Sequence, residues 1–420
     1  MKILKLLVFL IVQGYPVSLF GDIFHYKNLL VGERAMGLGG AFTAVSDDAS
    51  GIFYNPAGLA FAVSNDVSGS ANAYYKRTAR YLKTIGEEDF VEYSDGAASP
   101  FFGALQKLDN ILPGLAAGFG IYTSDSELKN QNDIFKAENL GLRRFHRTAN
   151  VRASTTGFAG GVAYRVLPSL SIGLSLHGIS IDELTQEYQH VTYTDGRYLT
   201  QNIRSHLQVK ALETGIGMQW AVSEFSLGLN VRLRGVMDEK FDDGFDLTLN
   251  FDDRFQRTNE LLPTPLQIFR NVQKEEPLSI LPHEVRFGVA WFASASLLLS
   301  ADASHHTEAK EGDSRFDREA VTNFATGAEY YITPSVPVRV GLFTNNDARP
   351  EVVAGKTGQR DHIDYYGMSL FFVWVQPNSQ ISVGTVYQVG TGKAQKTTGS
   401  AIQDVEADSI TGAFSATHSF

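Results

Sequence analysis

From residue 64 onward the chain is built of segments in which large apolar residues alternate with small or polar ones. In Phe225-Ser226-Leu227-Gly228-Leu229-Asn230-Val231-Arg232-Leu233-Arg234 every odd position is large and apolar, and every even one is small, polar or cationic. Val285, Phe287, Val289 and Trp291 alternate in the same way with Glu284, Arg286, Gly288 and Ala290, and Leu170, Ile172, Leu174 and Leu176 with Ser171, Gly173, Ser175 and His177. A period of two places each set on its own face of a sheet. The pattern predicts fourteen strands, at 65–77, 98–107, 114–125, 152–166, 169–190, 197–222, 224–239, 281–294, 296–309, 318–332, 335–347, 362–376, 379–394 and 407–420.

A soluble sandwich shows the same alternation, so the connections have to choose between the two. Those after even strands are short, such as Leu167-Pro168, Ser223, Ala295, Thr333-Pro334 and Pro377-Asn378; most of those after odd strands are long, including 78–97, 126–151, 240–280, 348–361 and 395–406. An even strand number with short turns on one side and long loops on the other describes an all-β, 14-stranded antiparallel transmembrane barrel of the bacterial outer membrane. The last strand ends on Phe420 and shares its face with Ala416, Phe414 and Ile410. A terminal aromatic on an amphipathic strand is the address that the outer-membrane insertion machinery reads. Closure into a barrel also removes the unpaired edges that lipid would penalise.

Composition narrows the function classes. Hydrophobic residues make up 43% of the chain, yet no stretch is long enough to span a bilayer as a helix, which takes about 20 apolar residues. A net charge of −10 argues against nucleic acid. The absence of cysteine removes disulfides, thiolate metal sites and a thiol nucleophile. Lys2 and Lys5 followed by apolar Leu6 to Val12 read as an export signal, with cleavage placed after Gly21. The domain plan is therefore a signal peptide at 1–21, a separate segment at 22–63, and the barrel at 64–420.

The segment before the first strand has another character. Four glycines between Gly32 and Gly40 argue against a stable helix and permit close backbone approach, and Ser46 or Asp47 could cap a short helical turn reaching Phe53. Asn55-Pro56-Ala57-Gly58 reads as a turn, since Asn before Pro avoids the helical region. With its flanks Asp47-Asp48-Ala49-Ser50 and Tyr54, this stretch resembles the N-terminal hatch of the FadL family of outer-membrane long-chain fatty acid transporters. The resemblance implies a hatch folded back into the lumen, a movable tip at Asp22 to Tyr26, and a ligand-triggered shift of that tip. It also implies lateral release of cargo through a gap in the wall near a kinked strand, by passive transport of long-chain fatty acids or other hydrophobic compounds. The alternative is a barrel of the same type that serves as a surface or assembly partner without transport.

The alternation turns Asn230, Arg232, Arg234, Glu284, Arg286, Asp302 and Arg339 into the lumen. Arg232 and Arg286 fall at similar heights on neighbouring strands, where two cations could clamp a carboxylate, or Glu284 and Asp302 could already neutralise them. In the longest connection, Leu262, Leu266 and Phe269 would share an apolar face for capturing cargo if Pro265 opens a helical turn. The pair His305-His306 near the top of a strand is expected to be exposed. No nucleophile elbow, phosphate loop or zinc signature is present, so neither enzyme activity nor a cofactor or metal is expected. The expected form is a monomer.

Overall fold

The computed structural model describes residues 22–85, 87–96, 101–137, 141–250, 266–274, 278–310, 312, 314–356, 358–396 and 401–420. The expected signal peptide at 1–21 and Leu262 lie outside these residues. In chain order the β-segments are β1 (Asp66–Ile85), β2 (Glu88–Gly96), β3 (Phe101–Lys107), β4 (Leu115–Ala137), β5 (Leu142–Leu167), β6 (Leu170–Tyr193), β7 (Tyr198–Val222) and β8 (Phe225–Leu249). They continue with β9 (Leu266–Lys274), β10 (Glu284–Ser294), β11 (Leu297–His306), β12 (Val321–Thr333), β13 (Val336–Asn345), β14 (His362–Gln376), β15 (Ser379–Ala394) and β16 (Gln403–Ser419).

Except for β2 with β3 and β9 with β10, the segments pair antiparallel with their sequence neighbours, and β16 closes the wall against β1, with Ser419 opposite Asp66 and Val405 opposite Tyr81. Two places in the wall are each filled by two segments. β3 pairs with the start of β1 and β2 with its far half. β8 pairs with β10 over Phe225–Arg232 and with β9 over Phe241–Leu249. Sixteen segments therefore occupy fourteen places, and the fold is a closed 14-stranded barrel.

Burial runs opposite to that of a soluble protein. The outward faces of β6 and β7 expose Ile172, Leu174, Leu176, Ile216, Met218 and Trp220, while Ser171, Ser175, His177, Glu213 and Gln219 on the same strands are buried inside. An apolar belt facing out around a polar interior is what hydrocarbon surroundings select, and it removes the sandwich alternative. The short turns lie where the alternation places them, at residues 168–169, 223–224, 295–296, 334–335 and 377–378.

The sequence reading erred at the other end of the barrel. The loops expected at 78–97 and 126–151 are mostly strand, because β1 runs to Ile85, β4 runs to Ala137 and β5 starts at Leu142. Beyond the apolar belt both faces of these strands are polar, as in Arg144-Phe145-His146-Arg147-Thr148, so the hydropathy period fades although the hydrogen-bonded ladder continues. The helical turn expected at 261–269 is likewise absent from 266 onward. Leu266 to Lys274 form β9, a strand in place of the expected helical turn.

Residues 22–60 pack against the inward face of the wall, whereas Val63 is 91% exposed. One helical turn, α1 (Glu33–Gly37), forms despite the surrounding glycines, because Gly32, Gly39 and Gly40 sit at its edges with φ of 80°, 64° and 84° and stop it from extending. A second turn, α2 (Gly51–Tyr54), leads through Asn55 into a 3-10 turn at Pro56–Phe61. The expected cap by Ser46 or Asp47 is not made. Ser50 occupies the cap position, Asp48 Oδ1 accepts from Ser50 N and Oγ at 2.8 and 2.6 Å, and Ser46 Oγ donates to the Phe42 carbonyl at 2.7 Å. Val31, Leu38, Phe42, Val45, Ile52, Tyr54 and Leu59 of this plug form one apolar cluster with Phe101, Leu105 and Tyr122 of the wall.

Candidate functional site

The plug rests on glycines of the wall. Gly173 and Gly217 face each other across β6 and β7, Gly228 and Gly288 across β8 and β10, and Gly327 and Gly341 across β12 and β13. Each pair receives plug backbone. A Cβ on Gly173 would lie 2.4 Å from Ala57 N, one on Gly228 2.1 Å from the Thr43 oxygen, and one on Gly341 2.1 Å from Gly39 N. Glycine in a strand interior marks such close approach. Sequence reasoning passed over these residues as the small members of an alternation. Their signal was available: glycines on the inward face of otherwise regular strands.

Polar contacts fix the plug between these seats. The Asn55 amide donates to Thr43 O at 2.9 Å and Met218 O at 3.0 Å, and its oxygen accepts from Ala57 N at 3.2 Å. Ser171 Oγ donates to Ala57 O, and Asn230 donates to Tyr54 O, both at 2.8 Å. The turn Asn55, Pro56, Ala57 and Gly58 is thus buried against β6 and β7, and Gly58 packs so closely on Ser46 that a Cβ would lie 2.3 Å from the Ser46 carbonyl. Asp302 accepts from Phe42 N at 3.0 Å, Thr43 N at 2.9 Å and Thr43 Oγ1 at 2.5 Å. It binds plug backbone, whereas the sequence reading had offered it as a counter-ion for lumenal arginines. Arg34 of the plug joins Asp47 at 2.7 Å to Glu329 of the wall at 3.0 Å, and Arg339 bridges Glu329 to Glu33. Ala49 is buried, and Asp47 and Asp48 line a cavity at the short-turn end of the barrel.

Of the two arginines expected to clamp a carboxylate, each has an acidic partner. Arg286 Nε donates to Glu284 at 2.9 Å; Arg232 lies 3.1 Å from Glu213 and 3.6 Å from Glu284. Arg234 joins the same two glutamates. Both clamp arginines face the plug, with Arg232 4.4 Å from the Phe53 ring centroid and Arg286 5.1 Å from that of Tyr54. Nε and Nη2 of Arg232 have no hydrogen-bond partner.

Beyond Phe53, on the side of the long strands, a cavity of about 110 Å³ separates this network from the tip of the plug. Its apolar lining includes Ile23, Phe53, Ile179, Ile181 and Leu281. Tyr26 stacks on His306 with ring centroids 3.8 Å apart; His306 is buried, against the expectation of an exposed pair, because its register on β11 points it inward, while His305 faces out. Arg318, which the sequence reading missed, also lines this cavity. It is 2% exposed, its Nε and Nη1 have no hydrogen-bond partner, and its guanidinium lies 5.3 Å from the Phe24 ring centroid. The alternation placed it at the start of the strand expected at 318–332, whereas in the structure it lies in the connection before β12, so its buried position was not read from the sequence.

The tip is held by charge. Asp22 takes His25 Nδ1 at 2.6 Å, Arg77 at 2.9 Å and Arg349 at 3.0 Å, and His25 Nε2 reaches the Ile363 carbonyl at 2.8 Å. Burial pushes the Asp22 carboxyl up, but His25, Arg349 and Arg77 outweigh it and hold it well below the usual carboxylate range. Burial pulls the His25 imidazole down, but Asp22 and Asp347 raise it further, to a net position above its ordinary value.

Beside the tip the wall has a seam. The ladder between β2 and β4 is reduced to one pairing, Asp95 with Leu128. Above it the Gln131 side chain stands in for the ladder, donating to Val91 O at 2.5 Å and accepting from Tyr93 N at 3.2 Å. On the outer face Phe269 is 68% exposed.

A closed 14-place wall, a plug entering from the N-terminus and a seam beside its tip decide the comparison with solved structures. The chain has the FadL-type fold. It aligns with the crystal structure of a Pseudomonas aeruginosa FadL homologue over 94% of this chain and 100% of that one, at a TM-score of 0.64 and 13% identity. The P. putida toluene transporter TodX aligns over 94% and 99%, at 0.66 and 12%, and the CymD monoaromatic hydrocarbon channel over 94% and 98%, at 0.58 and 14%. The sequence matches no family model and no curated protein. The FadL-type fold is therefore carried here on a largely different sequence.

Proposed function

We propose that this protein is a passive outer-membrane transporter of hydrophobic molecules, and that its cargo carries an anionic head group, long-chain fatty acids being the fitting class. The observation that carries the head group is Arg318, a buried guanidinium with unpartnered N–H groups at the edge of an apolar cavity behind the plug tip. A carboxylate would supply the missing acceptors with paired geometry, while a neutral aromatic hydrocarbon leaves them unmet. The free Nε and Nη2 of Arg232 offer a second contact; Arg286 is already occupied by Glu284. In this reading, cargo first meets exposed apolar surface such as Phe269 and then displaces the tip at Asp22 to Tyr26. It leaves sideways at the β2–β4 seam, where the side chains of Gln131 and Lys129 stand in for the ladder. The barrel works as a monomer, without cofactor or energy input. The known neighbours of this fold include transporters named for toluene and monoaromatic hydrocarbons, so the cargo has to be tested against both classes.

Equilibrium binding of oleate and of toluene to the purified barrel separates them. The expected result is saturable oleate binding, weakened at least tenfold in Arg318→Gln, with detergent-resistant folding unchanged. Toluene binding without oleate binding would leave a hydrocarbon channel and overturn the anionic cargo. Binding of neither would overturn transport.

A further inference from the structure

Around the plug tip the lumen holds two buried acids whose oxygens are short of hydrogen-bond donors. Asp125 on β4 is 7% exposed; its Oδ1 accepts from Asn28 at 3.1 Å and its Oδ2 has no partner. Glu183 on β6 is 1% exposed and neither of its oxygens has a hydrogen-bond partner. Two of the cations nearby are committed elsewhere, and Arg318 acts on Glu183 without a hydrogen bond to it. Arg77 is held by Asp22 and the Tyr365 hydroxyl, and Arg349 by Asp22 and Asp347. Arg360, stacked 5.1 Å from the Phe24 centroid, is the first of the charges that act on Glu183, and Glu127 adds a further negative charge close to both acids. Buried carboxylates left unpaired are costly, and such sites ordinarily contain their counter-ion.

The backbone of Asp22 lies beside Asp125. Asn28 Nδ2 donates at 3.1 Å to both the Asp22 carbonyl and Asp125 Oδ1, so one amide group links the start of the plug to the orphaned acid. Asp22 is itself 3% exposed. The export signal, read from sequence alone, ends at Gly21. Hydrolysis of the Gly21–Asp22 peptide bond by signal peptidase adds water across it, leaving the Gly21 carboxylate on the leader and a free amine on Asp22, which takes up a proton at neutral pH.

We propose that Asp125 and Glu183 form a lumenal ammonium-binding site whose ligand is the α-amino group of this same chain, created at Asp22 by removal of the leader. Processing then supplies hydrogen-bond donors to these orphaned oxygens, and the tip of the plug is clipped in place only in the mature protein. A positively charged terminus between two carboxylates satisfies three donors at once. The clip is independent of which cargo passes.

The test begins with N-terminal mass spectrometry of protein purified from outer membranes, for which Asp22 is the expected first residue. Acylation of the α-amine near pH 7, followed on the N-terminal peptide, is expected to be at least tenfold slower in the folded barrel than after heating in SDS. Protection should fall to within threefold of the unfolded rate in the Asp125→Asn/Glu183→Gln double variant. The single Asp125→Asn variant gives the same readout if the double variant loses the heat-modifiable migration of a folded barrel. A mature chain starting elsewhere, an amine that labels as fast folded as unfolded, or undiminished protection in folded variants would each overturn the proposal.

Discussion

The side chain of Asn55 donates to the Met218 carbonyl across the plug–wall boundary at 3.0 Å, beside a glycine, Gly217, on which a Cβ would lie 2.2 Å from the Asn55 oxygen. The turn is therefore held by a hydrogen bond and by the absence of a side chain at the same point. Replacement of Gly217 by alanine should push the turn off the wall without altering the outward belt. Asn55→Ala leaves the Thr43 and Met218 carbonyls unsatisfied, a loss of about 1–3 kcal/mol for a buried group. Limited proteolysis of folded barrels in detergent is expected to cut the plug segment faster in both variants, with the wall intact. Equal cutting rates in wild type and variants would refute the seat.

Much of this arrangement was legible in the chain, for reasons that also explain what was not. Strands such as Phe225–Leu233 were readable because lipid demands an unbroken apolar face, and their short turns fixed the barrel count. The plug turn was readable from Asn55 to Gly58 because Pro and Gly constrain backbone locally. β9 and the far ends of β4 and β5 were not, since water on both sides imposes no period. The Arg318 cavity was hidden for another reason: its walls come from the plug, β4 to β11 and a long connection, and no local pattern records their meeting.

Glu329 is the point where the plug's main ion pair meets the wall, since it serves Arg34 and Arg339 together. Glu329→Gln should leave two guanidiniums short of charge in a buried site, a cost of about 3–5 kcal/mol for breaking such a pair. The barrel wall does not depend on it. Single-channel recordings in planar bilayers are expected to show brief openings in the variant that are rare in wild type. If the two traces match, the ion pair does not hold the plug.

Gln131 bonds the backbone of β2 across the β2–β4 seam, beside the Lys129–Glu92 ion pair at 2.9 Å. In Gln131→Ala the Tyr93 amide and Val91 carbonyl lose their partners, and hydrogen exchange at Tyr93 should accelerate at least tenfold while exchange along β5–β7 stays unchanged. Uptake of labelled cargo into proteoliposomes should rise if the seam is the exit. Faster exchange with unaltered uptake would separate a weak seam from a used one.

The tip should respond to pH through His25. Its imidazole lies above its ordinary value in the folded plug because Asp22 and Asp347 outweigh burial. A raised histidine contributes stability that is fully present below the unfolded value, about 6.5, and that is lost as pH rises through the folded one. His25 taken alone therefore holds the tip more firmly at pH 6 than at pH 9. Lys27, pushed down to about 7 by burial and by Arg286 against Asp302 and Glu284, acts in the opposite sense, adding stability from about pH 7 up toward its unfolded range. His25→Asn removes the first contribution and leaves the second. The difference between wild type and His25→Asn in tip protection, read as hydrogen exchange over residues 22–30, should thus be largest at pH 6 and shrink on going to pH 9. A difference that grows with pH would show that His25 is held neutral, and that the Asp22 contact is an uncharged hydrogen bond.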